Sequence, residues 1–160
     1  MQLLMETLHA VVGLNPAADA LSGTKTGDWL NMKFYQKLLA VLLLGDATGG
    51  TATHTVTVQA ASDASGSNAE AIPFTYRRVA NTASSDVPGA VTQATASGFV
   101  TNAGDNQLYQ IEIDAADLPD GKPFVAVKSV EATDDPVVAA LVYVLGAARY
   151  PGAAPLTAIA

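Results

Sequence analysis

Only two histidines, His9 and His54, occur in the chain, and cysteine is absent. A thiol nucleophile, a disulfide framework and a Cys-based zinc site are therefore excluded. His54 stands at period two among the threonines of "TATHTVTV", Thr51 to Val58. That pattern makes it a sheet residue on a partly wet face rather than a catalytic base. Serines and aspartates are numerous enough to complete a Ser-His-Asp set on paper. No nucleophile-elbow motif supports one, and the chain reads as non-catalytic. "DASGSNAE", Asp63 to Glu70, offers oxygen at Asp63, Ser65, Ser67 and Glu70. It lacks the length and paired carboxylates of a calcium loop, so its polar groups are assigned to their own backbone turn. Asp117, Asp120, Asp134 and Asp135 receive the same reading, turn chemistry and solubility. No metal and no cofactor is expected.

The residues with more to offer are suited to contact. Tyr76-Arg77-Arg78 holds the only adjacent pair of basic residues in an acidic chain. It is either a charged guard on a sheet edge or a contact for an acidic partner, since Arg and Tyr are enriched at interface hot spots. Trp29, the lone tryptophan, lies in a polar stretch. It reads as a plug into its own domain or, slightly favoured, an anchor on a neighbour. Leu4, Leu8, Val11 and Val12 share one helical face of "MQLLMETLHAVVGL".

Composition narrows the function further. The 160 residues carry a net charge of −7 and a pI near 4.5, with eight scattered basic residues, which opposes binding to nucleic acid. Hydrophobic residues reach 49% and charged ones only 14%, so a core can be buried in one domain, with or without an arm. Much of the apolar fraction is alanine and aromatics are 6%, a light core that self-association would supplement. No apolar run approaches the roughly 18 residues of a membrane span. The N-terminus has no basic region of the kind that opens a secretory signal.

The elements that must position these residues follow from period and punctuation. The central stretch is Asn31 to Ala60. Phe34 to Leu44 becomes apolar on both parities, as in a strand with both faces covered, and Thr51 to Val58 alternates after a Gly-rich turn. The two are expected to form a β-hairpin. A competing reading makes Met32 to Leu44 a helix, but its period is poor and Gly45 with a Thr-alternating partner favours strands. Residues 1–14 serve a helix or a strand, the helix slightly ahead, and Asn15-Pro16 closes them. Residues 15–30 read as a tether.

Ala71 to Val79 is a strand whose Pro73 puts it at an edge or starts it after the proline. Residues 80–106 hold one or two short strands in a long connection. Leu108 to Asp114 alternates with Tyr109, Ile111 and Ile113 inward. "AADLPDG" suits a single helical turn. Phe124 to Glu131 and Val137 to Leu145 are expected as a second hairpin across "ATDDP". The sum is an all-β chain: an antiparallel β-sandwich or jelly-roll-like domain at 31–150. An N-terminal arm at 1–30 has room for a short helix, and an extended tail follows at 151–160.

The order "NMKFYQKLLAVLLLGDATGGTATHTVTVQAASDASGSNAEAIPFTYRRV" and then "GDNQLYQIEIDAADLPDGKPFVAVKSVEATDDPVVAALVYVLGAARY" resembles capsid decoration, or cement, proteins of tailed bacteriophages. Its marks are Asn31-Met32 before a Tyr strand, Gly45 closing that strand, and "TVTVQAASDASGS". "YQIEIDAADLPDGKPFVAVK" and a last apolar strand before Arg149-Tyr150-Pro151 complete them. Family members often carry an Arg in the "FVAVK" strand where this chain has Ala126, so any shell contact made there must come from elsewhere.

The resemblance implies many copies on an icosahedral shell, with the major capsid protein as partner and a homo-oligomer, trimer or dimer, as the binding unit. It also implies synthesis in the bacterial cytoplasm and a final place on the virion surface, without membrane or nucleic acid. The contact residues expected are Leu4, Leu8, Trp29, Tyr76, Arg77 and Arg78. Two other classes compete. A carbohydrate- or receptor-binding sandwich would need exposed aromatics, for which Tyr35, Phe74, Tyr76 and Tyr109 are the candidates. A hydrolase would need a uniquely reactive serine.

Overall fold

The computed structural model describes residues 3–104, 106–149 and 157–159. One helical turn, α1 (Leu4–Thr7), precedes the strands β1 (His9–Ala17), β2 (Thr24–Thr26), β3 (Leu30–Asn31), β4 (Tyr35–Ala47) and β5 (Thr53–Ala61). After them come β6 (Glu70–Ile72), β7 (Phe74–Val79), β8 (Thr92–Ala94), β9 (Phe99–Val100), β10 (Gln107–Asp114), β11 (Phe124–Thr133) and β12 (Val137–Ala148). A single 3-10 turn at Met32–Phe34 joins β3 to β4, and another at Ala115–Asp117 opens the connection from β10 to β11. The expected turn in "AADLPDG" and the two short strands within 80–106 are therefore present.

Two six-stranded antiparallel sheets face each other as a sandwich. Sheet A runs β1-β12-β4-β10-β7-β8 and sheet B runs β2-β11-β5-β6, with β3 added to β11 and β9 to β5. Between them lie Leu38, Ala40, Leu42 and Leu44 of β4, with Leu141, Tyr143 and Leu145 of β12. Tyr109, Ile111 and Ile113 of β10 join them, facing Val56 and Val58 of β5 and Val125 and Val127 of β11. The alternation read from "LYQIEID" is the one observed. The strands β4 and β12 are interior, as their apolar character requires.

Neither expected hairpin forms. β4 pairs with β12 and β10, while β5 pairs with β11, so the chain crosses between sheets at residues 48–52 and again at 134–136. The outward side chains explain the sorting. β4 and β12 match Leu39 with Val144, Val41 with Val142 and Leu43 with Ala140. β5 and β11 match Thr57 with Lys128, Thr55 with Val130 and Gln59 with Ala126. Cross-strand side-chain pairs are the unit of sheet stability, and β4 takes the partner whose outer face is apolar like its own, whereas each of these β5–β11 pairs carries a polar residue. β7 begins after Pro73 and lies inside the sheet, with β8 at the edge.

The boundary at residue 30 also needs correction: residues 9–31 are built into both sheets. β1 pairs with β12 from His9 to Ala17, and Leu21 and Leu30 are fully buried. The backbone of this segment closes on Tyr143. A Cβ at Gly13 would stand 2.5 Å from Tyr143 Cε2, and one at Gly27 2.5 Å from Tyr143 Oη. Only glycine permits that approach. The helix expected near the N-terminus is reduced to α1, because His9 onward finds an unpaired edge of β12. The tail lies outside the described residues except at 157–159. There Asn31 N donates to Ala158 O at 2.7 Å and Ala158 is buried.

Candidate interaction surfaces

His54 faces inward on β5 and is 1% exposed, so the partly wet face expected for it belongs instead to its threonine neighbours. Burial lowers its pKa, and the charges of Glu131 and Asp19 oppose that shift. Glu131 is its direct cross-strand partner, and Ser129 sits two residues along. Five buried side-chain atoms have no hydrogen-bond partner among the described residues: both ring nitrogens of His54, Ser129 Oγ, Glu131 Oε1 and Asp19 Oδ1. The other oxygen of Glu131 accepts from Gly23 N at 2.8 Å, which ties down the turn before β2. No group of three or more His, Asp or Glu among the described residues could hold a metal ion.

The aspartates do turn chemistry, with one addition. Asp63 Oδ1 accepts from Ser65 N at 2.9 Å and Ser67 N at 3.1 Å, and these bonds, Ser67 foremost, lower its pKa. Asp135 does more than solubilise a turn. Its carboxylate accepts from Gly49 N and Thr51 N, each at 2.8 Å, and so fastens one sheet crossing to the other. The backbone donors of Thr51 and Gly49 hold its pKa down.

The contact residues separate into different regions. Tyr76 and Arg78 face the cleft between the sheets at the β8 side, where Tyr76 stacks on Phe99 at 4.1 Å and Phe99 on Tyr109 at 5.0 Å. That cleft measures about 370 Å3. Arg77 points to the opposite face and donates from Nε to Gln110 Oε1 at 2.7 Å. All three residues nevertheless line that cleft. Of the aromatics a glycan platform would need, Tyr35, Phe74 and Tyr109 are buried and only Tyr76 is partly open. Trp29 is half-buried against its own domain, where a Cβ at Gly66 would lie 2.7 Å from its Cζ2.

Leu4 and Leu8 do lie open. Leu4 and Met5 are 77% exposed, Leu3 48% and Leu8 40%. Glu6 closes the turn by accepting from Leu3 N at 2.9 Å, which leaves the apolar side chains outside. Leu8 reaches back over sheet A, its Cδ2 3.3 Å from where a Cβ at Gly146 would stand.

One surface has no local sequence signal. A cleft of about 490 Å3 is lined by Met32, Leu118 and Pro123 together with Lys33, Lys122 and Arg149. Lys122 is paired to Glu70 at 3.0 Å. Three cations drawn from distant parts of the chain meet there: the pairing of β3 with β11 brings Lys33 to Lys122, and that of β4 with β12 brings Arg149. Their charge suits an anionic group.

No family model matches the sequence, and no curated protein matches it. Among solved structures, the SPBc2 prophage-derived protein YomS aligns with a TM-score of 0.46 at 14% identity, covering 88% of this chain and 93% of that one. The CBM22-1–GH10 modules of Clostridium thermocellum xylanase 10B align at 0.44 and 9% identity, covering 94% of this chain and 28% of that one. Both likenesses are too remote to carry an argument.

Proposed function

We propose that this chain is a non-catalytic virion component that decorates the head of a tailed phage by binding its major capsid protein. The observation that carries the reading is the projecting row Leu3, Leu4, Met5 and Leu8, exposed at the start of an otherwise well-buried sandwich. Among the described residues nothing covers Leu3, Leu4 and Met5, and a partner surface would relieve the cost of solvating them. Covering roughly 400 Å2 of such surface is worth about 10 kcal/mol gross at 25 cal/mol per Å2. Association itself costs about 4–15 kcal/mol, so one contact is weak and a repetitive lattice suits it. The order of sequence marks shared with decoration proteins supports the same role.

The test uses heads assembled from the major capsid protein encoded nearest the chain's gene. The full chain should co-sediment to saturation, and the double substitution Leu4→Asp, Met5→Asp should abolish pelleting while leaving the melting temperature unchanged. Binding to a glycan array with no binding to heads would replace this reading with the carbohydrate one.

A further inference from the structure

We infer that the outer face of sheet A is a self-association surface that takes a second copy of this chain, back to back, independently of the head-binding role. The two sheets cover the inner parity of β4 and β12. Nothing among the described residues covers the outer parity at its centre, where Val41, Leu43, Val138, Val142 and Val144 form an aliphatic plate with Val12 of β1. Val12, Leu43 and Val138 are 49%, 40% and 50% exposed. Outward positions of an antiparallel sheet in water are ordinarily polar, as Thr53, Thr55 and Thr57 are on sheet B.

Three features select a second copy as the occupant. The first is charge. With a net of −7, two copies repel wherever their carboxylates meet, and this plate is free of charge. Charged and polar groups form its border on the β10 and β7 side: Lys37 pairs with Asp114 at 2.7 Å, and Arg77 with Gln110. A two-fold pairing would set mixed borders beside each other with no net like-charge clash. The second is shape. A twisted antiparallel sheet finds a matching surface in another sheet of the same twist, aligned at about −30°, which is how the chain's own two sheets pack.

The third is area. Three strands at about 4.8 Å spacing and roughly seven residues at 3.4 Å give a footprint near 340 Å2. With side-chain relief that is roughly 450 Å2 of accessible surface per copy, or about 900 Å2 in the pair, the size of a weak, reversible contact.

The experiment uses the full chain in solution without heads. Sedimentation velocity across micromolar to millimolar concentrations should show a reversible dimer of the 16.3 kDa chain. Val142→Lys should shift it to monomer, at least tenfold in dissociation constant, with an unchanged circular dichroism spectrum. If that variant fails to fold, Val138→Lys at the more exposed margin serves instead. Because the chain has no cysteine, Val142→Cys introduces a single thiol. A bifunctional maleimide should cross-link it into dimers, and Val130→Cys on sheet B should remain uncrosslinked. A monomer at every concentration, a trimer, a dimer insensitive to charge on the plate, or equal cross-linking by both thiols would overturn the inference.

Discussion

Replacing Tyr143 by Phe removes one oxygen from the centre of the sandwich, and the structure fixes what that costs. β11 takes its outer partners in two pieces: β3 at Phe124 and Val125, and β2 from Lys128 to Val130. Val127 falls in the gap. Its C=O accepts from Gly27 N at 2.9 Å, but its N–H has no ladder partner and donates to Tyr143 Oη at 3.0 Å. Tyr143 belongs to the opposite sheet and is fully buried, and that burial holds its phenol protonated well above the usual tyrosine range. In the variant the N–H stays buried with no acceptor and no room for water. Leaving such a donor unpaired costs about 1–3 kcal/mol, more than the bond's own net contribution. For a chain of this size each kcal/mol moves the melting temperature by about 2–4 °C, so a fall of roughly 2–12 °C is expected. Calorimetry of the two proteins side by side reads this directly, with Tyr76→Phe as a partly exposed control. A loss under about 0.5 kcal/mol would refute the assignment of Tyr143 as the acceptor.

Three further outcomes follow from the same structure. Removing residues 1–28 should unfold the domain, because β12 loses β1 and Leu21 leaves the core; removing residues 1–7 should spare the fold, and circular dichroism of both truncations separates them. Gly98→Ala should destabilise by at least about 2 kcal/mol in denaturant titration, since its φ is +74° and a Cβ would collide with Val56 O. Lowering the pH from 7.5 to 5.5 should lower stability through His54. Its folded pKa is depressed by burial, so below about 6.5 the unfolded chain takes up the proton first. The contribution is complete above the unfolded value and declines as pH falls toward the folded one. Glu131 and Asp19 face the imidazole and soften the effect, and His54→Gln should flatten it in urea midpoints measured at each pH.

The parts legible in the sequence were those set by local period. "LYQIEID" reported its own inward residues, and "YQKLLAVLLLG" announced an interior strand. The pairing of strands was not legible, because a Gly-rich link such as Gly45 to Gly50 is compatible with a tight hairpin and with a crossing between sheets. What decides is the match of outer faces between β4 and β12, which lie far apart in the chain. A signal was present: apolar residues on both parities in one strand and threonine on one parity of the next should not pair. The role of Asp135 was hidden for the same reason, since Gly49 and Thr51 approach it only after both crossings are made. Leu4 and Leu8 were legible as apolar residues without a core. Trp29 was not, because its cover is Gly66, which offers no side chain to notice. Lys33, Lys122 and Arg149 gave no sign of convergence, having no common period or run.

Electron cryo-microscopy of heads saturated with the full chain tests the central claim most directly. The account predicts density for the sandwich on the outside of the shell, repeating with the capsid lattice, with Leu3, Leu4 and Met5 turned toward the capsid protein. Heads recovered bare at saturating concentrations of the chain, or sandwiches attached with α1 pointing into solvent, would contradict it.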